Sequence, residues 1–234
     1  MPRVIVFDVN ETLLDMRALG PHFRRVFGDE TVLREWFSLL LLHSQVATLA
    51  GPYFDFATLA KAALQMTAAS RRVQLADSDI AAILNGMLSL PAHPEVPSAL
   101  RMLQEAGLRL VTLTNSSQQA VDEQMRSAGI ARYFERSFSV DTVKCYKPAP
   151  EPYRMVASEL GVETPDLRMV AAHAWDIVGA MRAGCAAAFV ARQGKVLFPL
   201  VDRPDITAPD LTGVAKEILR LKLPRKSGDS GCRP

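Results

Sequence analysis

The sequence contains few cysteines for a chain of 234 residues, and their spacing argues against two kinds of site. Cys145, Cys185 and Cys232 lie far apart, without a Cys-x-x-Cys pair or a His/Cys pattern that would hold a structural metal. Isolated thiols of this kind are typical of proteins in reducing compartments. We therefore expect reduced thiols, no bound metal and a cytoplasmic location.

The sequence also lacks an excess of one charge and any long apolar run. Its 27 basic residues nearly balance 25 acidic residues, which does not indicate binding to nucleic acid. The first apolar run, residues 4–7, ends at Asp8 and leaves no room for a signal peptide. The run at residues 39–42 is too short to cross a bilayer. The expected partner is a small molecule, neither nucleic acid nor membrane.

The residues that are present predict an α/β fold. Hydrophobic residues make up 49% of the chain and charged residues 22%, which is enough apolar surface for a large core. Strand-like runs at 108–113, 137–140, 168–172 and 186–191 alternate with helical patterns, several of which stop at a glycine. This alternation predicts a doubly wound, Rossmann-like parallel sheet with helices on both faces.

A long segment after the first strand interrupts the alternation. Residues 16–91 contain helical patterns, for example at 32–48 and 56–69, but no convincing strand. We therefore predict a catalytic core of residues 1–15 and 92–223 with an inserted helical cap domain of residues 16–91. The end of the chain, residues 224–234, is rich in Lys, Gly and Ser and is predicted to be disordered.

Polar residues follow four of the predicted strands. They are Asp8, then Thr114 with Asn115, then Lys147, then His173 with Asp176. One aspartate at a strand end commonly caps the next helix. Four strand ends with the same polarity instead indicate a shared active site, because ligands bind at the carboxyl ends of parallel strands.

The same residues carry a resemblance to a known family. The segment 7–15, FDVNETLLD, resembles the first motif of the haloacid dehalogenase superfamily, whose first aspartate is a nucleophile. Segment 113–115, Lys147 with Pro148, and Asp176 resemble its second, third and fourth motifs, in the same order. Segments 51–56, 147–153 and 172–176 look most like the L-2-haloacid dehalogenase branch.

This resemblance implies hydrolysis of a carbon–halogen bond in a small 2-haloalkanoic acid, without a cofactor. Asp8 would attack C2 and expel halide, and water would then cleave the aspartyl ester to release the 2-hydroxy acid. Lys147 would keep Asp8 ionised. The remaining implied catalytic residues are Thr12, Thr114 and Asn115, as hydrogen-bond donors to the Asp8 carboxylate and the developing oxyanion, and Asp176, with or without His173, as the base for water. The family also suggests a homodimer.

Asn10 favours this activity over phosphate-ester hydrolysis. Phosphatases of the superfamily carry a second aspartate at this position, where it serves as a general acid and base. An amide cannot protonate a leaving alkoxide. A phosphatase-like or epoxide-opening hydrolase and a non-catalytic binding protein remain the alternatives.

The predicted substrate-binding residues lie on both the predicted core and the predicted cap domain. They are Asn10, Phe37, Leu41, Phe56, Tyr153 and Trp175. Phe37 is the main departure, because it falls where L-2-haloacid dehalogenases carry an arginine near the halide and the substrate carboxylate. Either another basic residue (Arg17, Arg24, Arg25 or Arg34) takes that role, or the substrate differs. The apolar lid of Phe37, Leu41 and Phe56 would favour a bulkier or less polar 2-substituted acid.

His173 is a second departure, since the branch commonly shows asparagine at this position. His173 and Asp176 are three residues apart, so on a helix they would share one face. This spacing predicts a base–carboxylate pair, with a helix-capping histidine as the alternative.

Overall fold

A single parallel sheet organises the computed structural model, which describes residues 2–222. The strands are Val4–Phe7 (β1), Arg109–Thr114 (β2), Arg136–Ser139 (β3), Leu167–Ala171 (β4), Ala186–Val190 (β5) and Ile206–Ala208 (β6). Their order across the sheet is β3-β2-β1-β4-β5-β6, and every neighbouring pair runs parallel. The first strand thus lies in the middle, between β2 and β4, and the predicted fold class is confirmed.

The short apolar strand β1 sets the position of the residues that follow it. All four of its residues are buried, as expected for a strand covered on both faces. Phe7 is level with Thr112 of β2 and with Val170 of β4. The carboxyl ends of these three strands therefore meet at one edge of the sheet.

Helices cover both faces of this sheet. They are Val96–Glu105 (α5), Gln118–Ser127 (α6), Pro150–Leu160 (α7), Ala174–Arg182 (α8) and Leu211–Lys222 (α9). Proline at the first turns of α5 and α7 fits the missing backbone donor of that residue. Gly161 ends α7 with φ 65°, in the left-handed region that glycine enters without strain.

Between β1 and β2 the chain forms a helical insert, here defined as residues 16–91. After a short 3-10 turn, it contains Gly20–Phe27 (α1), Val32–Ala50 (α2), Phe56–Arg71 (α3) and Asp77–Leu88 (α4). Buried Trp36 donates a hydrogen bond from Nε1 to the carbonyl oxygen of Ala60 (2.9 Å), which joins α2 to α3. Within the insert, the regular elements that the structure shows are this 3-10 turn and the four helices.

Two backbone segments, paired by hydrogen bonds, connect the insert to the core. The backbone nitrogen of Asp15 donates to the carbonyl oxygen of Pro91 (2.8 Å), and that of His93 donates to the carbonyl oxygen of Leu13 (3.0 Å). We call these segments, residues 13–15 and 91–93, the stem. Because they are paired, the insert leaves and re-enters the core at one place.

The structure differs from the sequence-based expectations at several elements. Strand β6 and helix α9 were not predicted. The prediction for residues 224–234 lies outside the described residues. Within residues 2–222, no helix has the length and apolar character required to span a membrane.

Candidate active site

A buried lysine joins two carboxylates at the ends of the central strands. Lys147 Nζ lies 3.0 Å from Asp8 Oδ1 and 2.6 Å from Asp176 Oδ2. It also donates to the carbonyl oxygen of Leu113 at 2.9 Å. The side chains of Lys147 and Asp176 are 0% exposed, so this ion-pair cluster is shielded from solvent. Asp8, Lys147 and Asp176 thus lie together at the ends of the strands, as the sequence predicted.

The two carboxylates differ in their pKa values. Burial opposes the ionisation of Asp8, but the charge of Lys147, aided by His173 and Thr12, outweighs it and holds the pKa of Asp8 below its usual value. Burial and the nearby charge of Asp8 raise the pKa of Asp176, even though Lys147 acts in the opposite direction. The carboxylate of Asp8 is therefore the weaker base of the two, and that of Asp176 is the stronger.

Tyr153 completes the surroundings of Asp176. Its hydroxyl donates to Asp176 Oδ1 at 2.6 Å, and burial together with that carboxylate raises the pKa of Tyr153 well above its usual value. Gly179 on α8 makes room for this contact, because a Cβ there would lie 2.7 Å from the tyrosine oxygen and 2.6 Å from Pro148 Cβ. Each oxygen of Asp176 thus accepts one hydrogen bond, Oδ2 from Lys147 and Oδ1 from Tyr153.

The loop after β1 is held in place by hydrogen bonds to Asp8, Ala172 and Arg192. Thr12 Oγ1 donates to Asp8 Oδ2 (2.6 Å), as predicted, and accepts from the backbone nitrogen of Ala172 (2.9 Å). The Arg192 guanidinium donates twice to the carbonyl oxygen of Thr12, at 3.0 and 2.7 Å. Glu11 has φ 62°, an uncommon conformation for a non-glycine residue. These contacts orient the Asp8 carboxylate.

Thr114 and Asn115 do not make the predicted contact with Asp8. Thr114 Oγ1 accepts from the backbone nitrogen of Ser116 (3.1 Å), and Asn115 Oδ1 accepts from that of Lys147 (3.2 Å). Among residues 2–222, neither side chain donates to Asp8. Asn115 Nδ2 is buried and has no hydrogen-bond partner in this part of the chain. It is a donor available to a substrate.

His173 faces Asp8 and is not paired with Asp176. Its Nε2 lies 3.2 Å from the carbonyl oxygen of Asn10, 3.7 Å from Asp8 Oδ2 and 3.5 Å from Glu11 Oε2. The predicted pair is wrong because His173 precedes α8 in an extended conformation, so the helical spacing does not apply. His173 does occupy the N-cap position of α8, where its carbonyl oxygen accepts from the backbone nitrogens of Asp176 and Ile177 (both 3.2 Å), but its side chain makes no cap hydrogen bond.

Aromatic rings enclose His173. The ring of Trp175 stacks on it with centroids 5.1 Å apart, and Phe37 from α2 lies at 6.2 Å. Leu41 is half-buried one turn further along α2, and Phe56 packs against Tyr146 at 6.1 Å. Phe37 therefore lies beside His173, near Asp8, and its place at the substrate stays a prediction.

The four candidate arginines do not replace the missing cation. Arg17 pairs with Asp15, Arg24 with Glu30, and Arg25 with Asp79, and the three guanidinium side chains are more than half exposed. Arg34 is exposed on α2. Since all four face solvent, the structure gives no support to the alternative in which one of them takes the role of the family arginine, and a different substrate is the other alternative.

The structure adds two residues that the sequence reasoning missed. Gln124 on α6 donates from Nε2 to Asn10 Oδ1 (3.1 Å). Lys195 lies 2.5 Å from Glu11 Oε2, which in turn lies near His173. Gln124 reads as an ordinary polar helix residue, and nothing in its spacing signals the contact. Glu11 could have been suspected from its place inside the first motif.

Metal binding is disfavoured by the arrangement of the charged groups. The ammonium of Lys147 already contacts both Asp8 and Asp176. Among residues 2–222, no group of three or more His, Cys, Asp or Glu side chains is arranged to hold a metal ion.

Comparisons with known proteins agree with this geometry. Haloacetate dehalogenase H-2 of Moraxella sp. (strain B) is 27% identical over 90% of this chain and 95% of its own length. (S)-2-haloacid dehalogenase 2 of Pseudomonas sp. (strain CBS-3) is 30% identical over 87% of this chain and 90% of its own. The crystal structure of an L-2-haloacid dehalogenase has a TM-score of 0.89 at 28% identity, over 93% of this chain and 99% of that one.

The match to a family profile covers most of the chain. The profile, described as haloacid dehalogenase-like hydrolase, matches residues 2–184. The similarity to curated 2-haloacid dehalogenases confirms the branch that the sequence motifs indicated. The chain therefore belongs to the haloacid dehalogenase-like hydrolases.

Proposed function

We propose that this chain hydrolyses the carbon–halogen bond of a small 2-haloalkanoic acid through an aspartyl ester. The observation that carries the proposal is the Asp8 carboxylate, held ionised by Lys147 at 3.0 Å beneath the helical insert. The similarity to named 2-haloacid dehalogenases supports the same reaction.

The first step forms the ester. A carboxylate oxygen of Asp8 attacks C2 of the acid, the C2–halogen bond breaks, and the halogen leaves as halide with its electron pair. Asn115 Nδ2 is a buried donor without a partner among residues 2–222, and it is available to the halide or the substrate carboxylate. Thr12 keeps Asp8 oriented through its 2.6 Å hydrogen bond.

The second step restores the enzyme. Water attacks the carbonyl carbon of the Asp8 ester, the 2-hydroxy acid leaves, and one proton is released. We assign the proton acceptor to Asp176, because the pKa of its carboxyl group is raised. His173 Nε2 lies at hydrogen-bond distance from the carbonyl oxygen of Asn10, so it carries a proton and acts as a donor near Asp8.

The helical insert would act as a cap domain over the core. In this proposal, residues 16–91 enclose the substrate against residues 1–15 and 92–223 and exclude water during ester formation. We also propose a homodimer and a cytoplasmic location, of which the first is tested below.

A single-turnover experiment in ¹⁸O water tests the covalent route. With enzyme in excess over 2-chloropropionate, label should appear in the Asp8 carboxylate, as measured by mass spectrometry of the peptide. Label that enters only the product would contradict the ester. Activity on p-nitrophenyl phosphate that is lost in EDTA and restored by Mg²⁺ would replace the proposal with a phosphatase.

Substitution of the nucleophile gives a second readout. Asp8→Asn should abolish turnover and leave the fold intact, whereas Asp122→Asn, an exposed aspartate on α6, is the matched control. Wild-type-like turnover by Asp8→Asn would refute the assignment.

A further inference from the structure

A small cleft lies between the insert and the core, beside the nucleophile loop. Its volume is about 50 Å³, several times the roughly 10–15 Å³ that one water molecule needs. It is lined by Phe56, Ala57, Ala60, Leu84, Met87 and Leu88 of the insert, and by Ser116, Ser117, Ala120 and Gln124 of the core. The insert side is therefore apolar, and the core side is polar.

Gln124 is the unusual residue in this lining. It is 1% exposed, and its Nε2 donates to Asn10 Oδ1 (3.1 Å) and to the carbonyl oxygen of Met87 (2.9 Å). Both partners are acceptors, which determines which end of the amide carries the nitrogen. Its Oε1 is buried and has no hydrogen-bond partner among residues 2–222. A buried acceptor without a donor is unfavourable, so the site is suited to a ligand that supplies one.

The cleft lies on one side of Asp8. Ser116, in its lining, follows β2, and Asn10, which is two residues after Asp8, donates to Ser116 Oγ at 3.4 Å. His173 and Trp175 follow β4, on the other side of β1. An acid with C2 at Asp8 can thus direct its C2 substituent toward the cleft, on the side of β2.

We propose that this cleft binds the C2 substituent of the acid, and that Gln124 Oε1 accepts a hydrogen bond from a hydroxyl group on that substituent. Gln124 is then a specificity-determining residue. The inference rests on the proposed function and adds the substrate class, namely short 2-haloacids that carry a hydroxyl on C3. The apolar wall of Phe56, Ala60 and Met87 excludes charged substituents.

Two isosteric substrates test the role of Gln124. We compare kcat/KM for 2-chloro-3-hydroxypropionate with kcat/KM for 2-chlorobutyrate, in wild type and in Gln124→Met. For each protein we take the ratio of kcat/KM for the hydroxy acid to kcat/KM for 2-chlorobutyrate, so that differences in intrinsic reactivity cancel between wild type and variant. This ratio should fall about tenfold in Gln124→Met, because methionine has a similar length but no carbonyl oxygen. The matched control is Gln119→Met, an exposed residue of the same helix.

A second variant tests the cleft without removing a hydrogen bond. Ala120→Leu fills the cleft from the core side. For 2-chloro-3-hydroxypropionate and for 2-chlorobutyrate, kcat/KM should therefore fall relative to kcat/KM for chloroacetate, which has no C2 substituent. An unchanged ratio in Gln124→Met would mean that an ordered water satisfies Oε1, and it would overturn the role of Gln124. An unchanged ratio in Ala120→Leu would show that the substituent lies elsewhere.

Binding measurements separate this inference from the proposed function. If no haloacid is turned over, including chloroacetate, the proposed function fails. Calorimetry with 2,3-dihydroxypropionate and 2-hydroxybutyrate still tests the cleft, because these acids have the same isosteric substituents and need no chemistry. Wild type should bind the dihydroxy acid more tightly, and Gln124→Met should lose that difference. Equal affinities in wild type would overturn the inference.

Discussion

Lys147 shows at the scale of single residues how burial and charge are balanced in this site. Burial alone would lower the pKa of its ammonium, but the charges of Asp176 and Asp8 raise it. Removal of Lys147 would leave two buried carboxylates without a counter-charge, which is strongly unfavourable. In the proposed reaction the lysine therefore acts in both catalysis and stability.

Phe37 yields a prediction at the same scale. An apolar ring in place of a guanidinium removes a charge-assisted hydrogen bond, worth about 1.5–3 kcal/mol, which corresponds to roughly 10–100-fold in rate. Wild type should therefore turn over 2-chloropropionate weakly. Phe37→Arg should raise kcat/KM by about tenfold or more, as measured in a halide-release assay.

Phe37→Leu is the control for this change, since it alters the ring without adding charge. Phe37 is only 6% exposed, so a parallel thermal melt must show that Phe37→Arg is folded. Rapid turnover by wild type with no gain in Phe37→Arg would show that Phe37 is not at the halide position.

Sequence reasoning at residue scale succeeded where a residue follows a strand. Asp8, Lys147 and Asp176 could be placed together because the carboxyl ends of parallel strands share one edge. It failed for His173, whose extended backbone breaks the helical spacing, and for Gln124, which reaches Asn10 from the middle of a helix. Such contacts depend on the packing of α6 beneath the insert, and local pattern does not encode them.

At the scale of elements, the sequence predicted best the segments that have a regular apolar period or that begin or end at a proline or glycine. Helices α2 and α3 follow from long apolar patterns, and the predicted strands start and end within about two residues of the observed ones. Strand β6 has only three residues, after a loop with two prolines, Pro199 and Pro204, so its pattern is too short to recognise. Its place at the sheet edge comes from pairing with β5.

The stem carries a pH-dependent interaction. His93 is largely buried; its Nε2 lies 3.3 Å from the carbonyl oxygen of Glu11. Burial, together with the charge of Arg192, lowers the pKa of His93 below 6.5, and the opposing charges of Asp15 and Glu95 are smaller. Below about pH 6.5 the unfolded chain therefore binds a proton that the folded chain does not, so the free energy of unfolding falls as pH decreases.

His93→Gln removes this proton-binding difference. We expect the melting temperature to fall less between pH 7.5 and pH 5.5 in His93→Gln than in wild type, as followed by circular dichroism. His43→Gln, on α2, serves as the control. An identical pH dependence in His93→Gln and wild type would contradict the assignment.

At the scale of the whole molecule, one face of α2 has no partner among residues 2–222 of a single chain. Leu42, Val46 and Leu49 are 52%, 44% and 87% exposed, and their spacing places them on one side of the helix. In the proposed homodimer, this face would be buried against a second copy.

Light scattering after size exclusion tests the dimer. Wild type should have twice the chain mass of 25.6 kDa, and the double variant Val46→Glu with Leu49→Glu should be monomeric. Leu200→Glu, an 82% exposed leucine outside the insert, is the control. A monomeric wild type, or a dimer that persists in the double variant, would exclude this interface.

The stem also has a consequence for how such proteins diversify. Since the chain leaves the core at residue 15 and returns at residue 91 through paired backbone, the two ends of the insert are held side by side, and a segment of another length can join them without moving the core strands. Asp8, Lys147 and Asp176 all lie outside that interval. Recombination at the stem could exchange one insert for another and change which acids are accepted, while the reacting carboxylate and its lysine keep their positions.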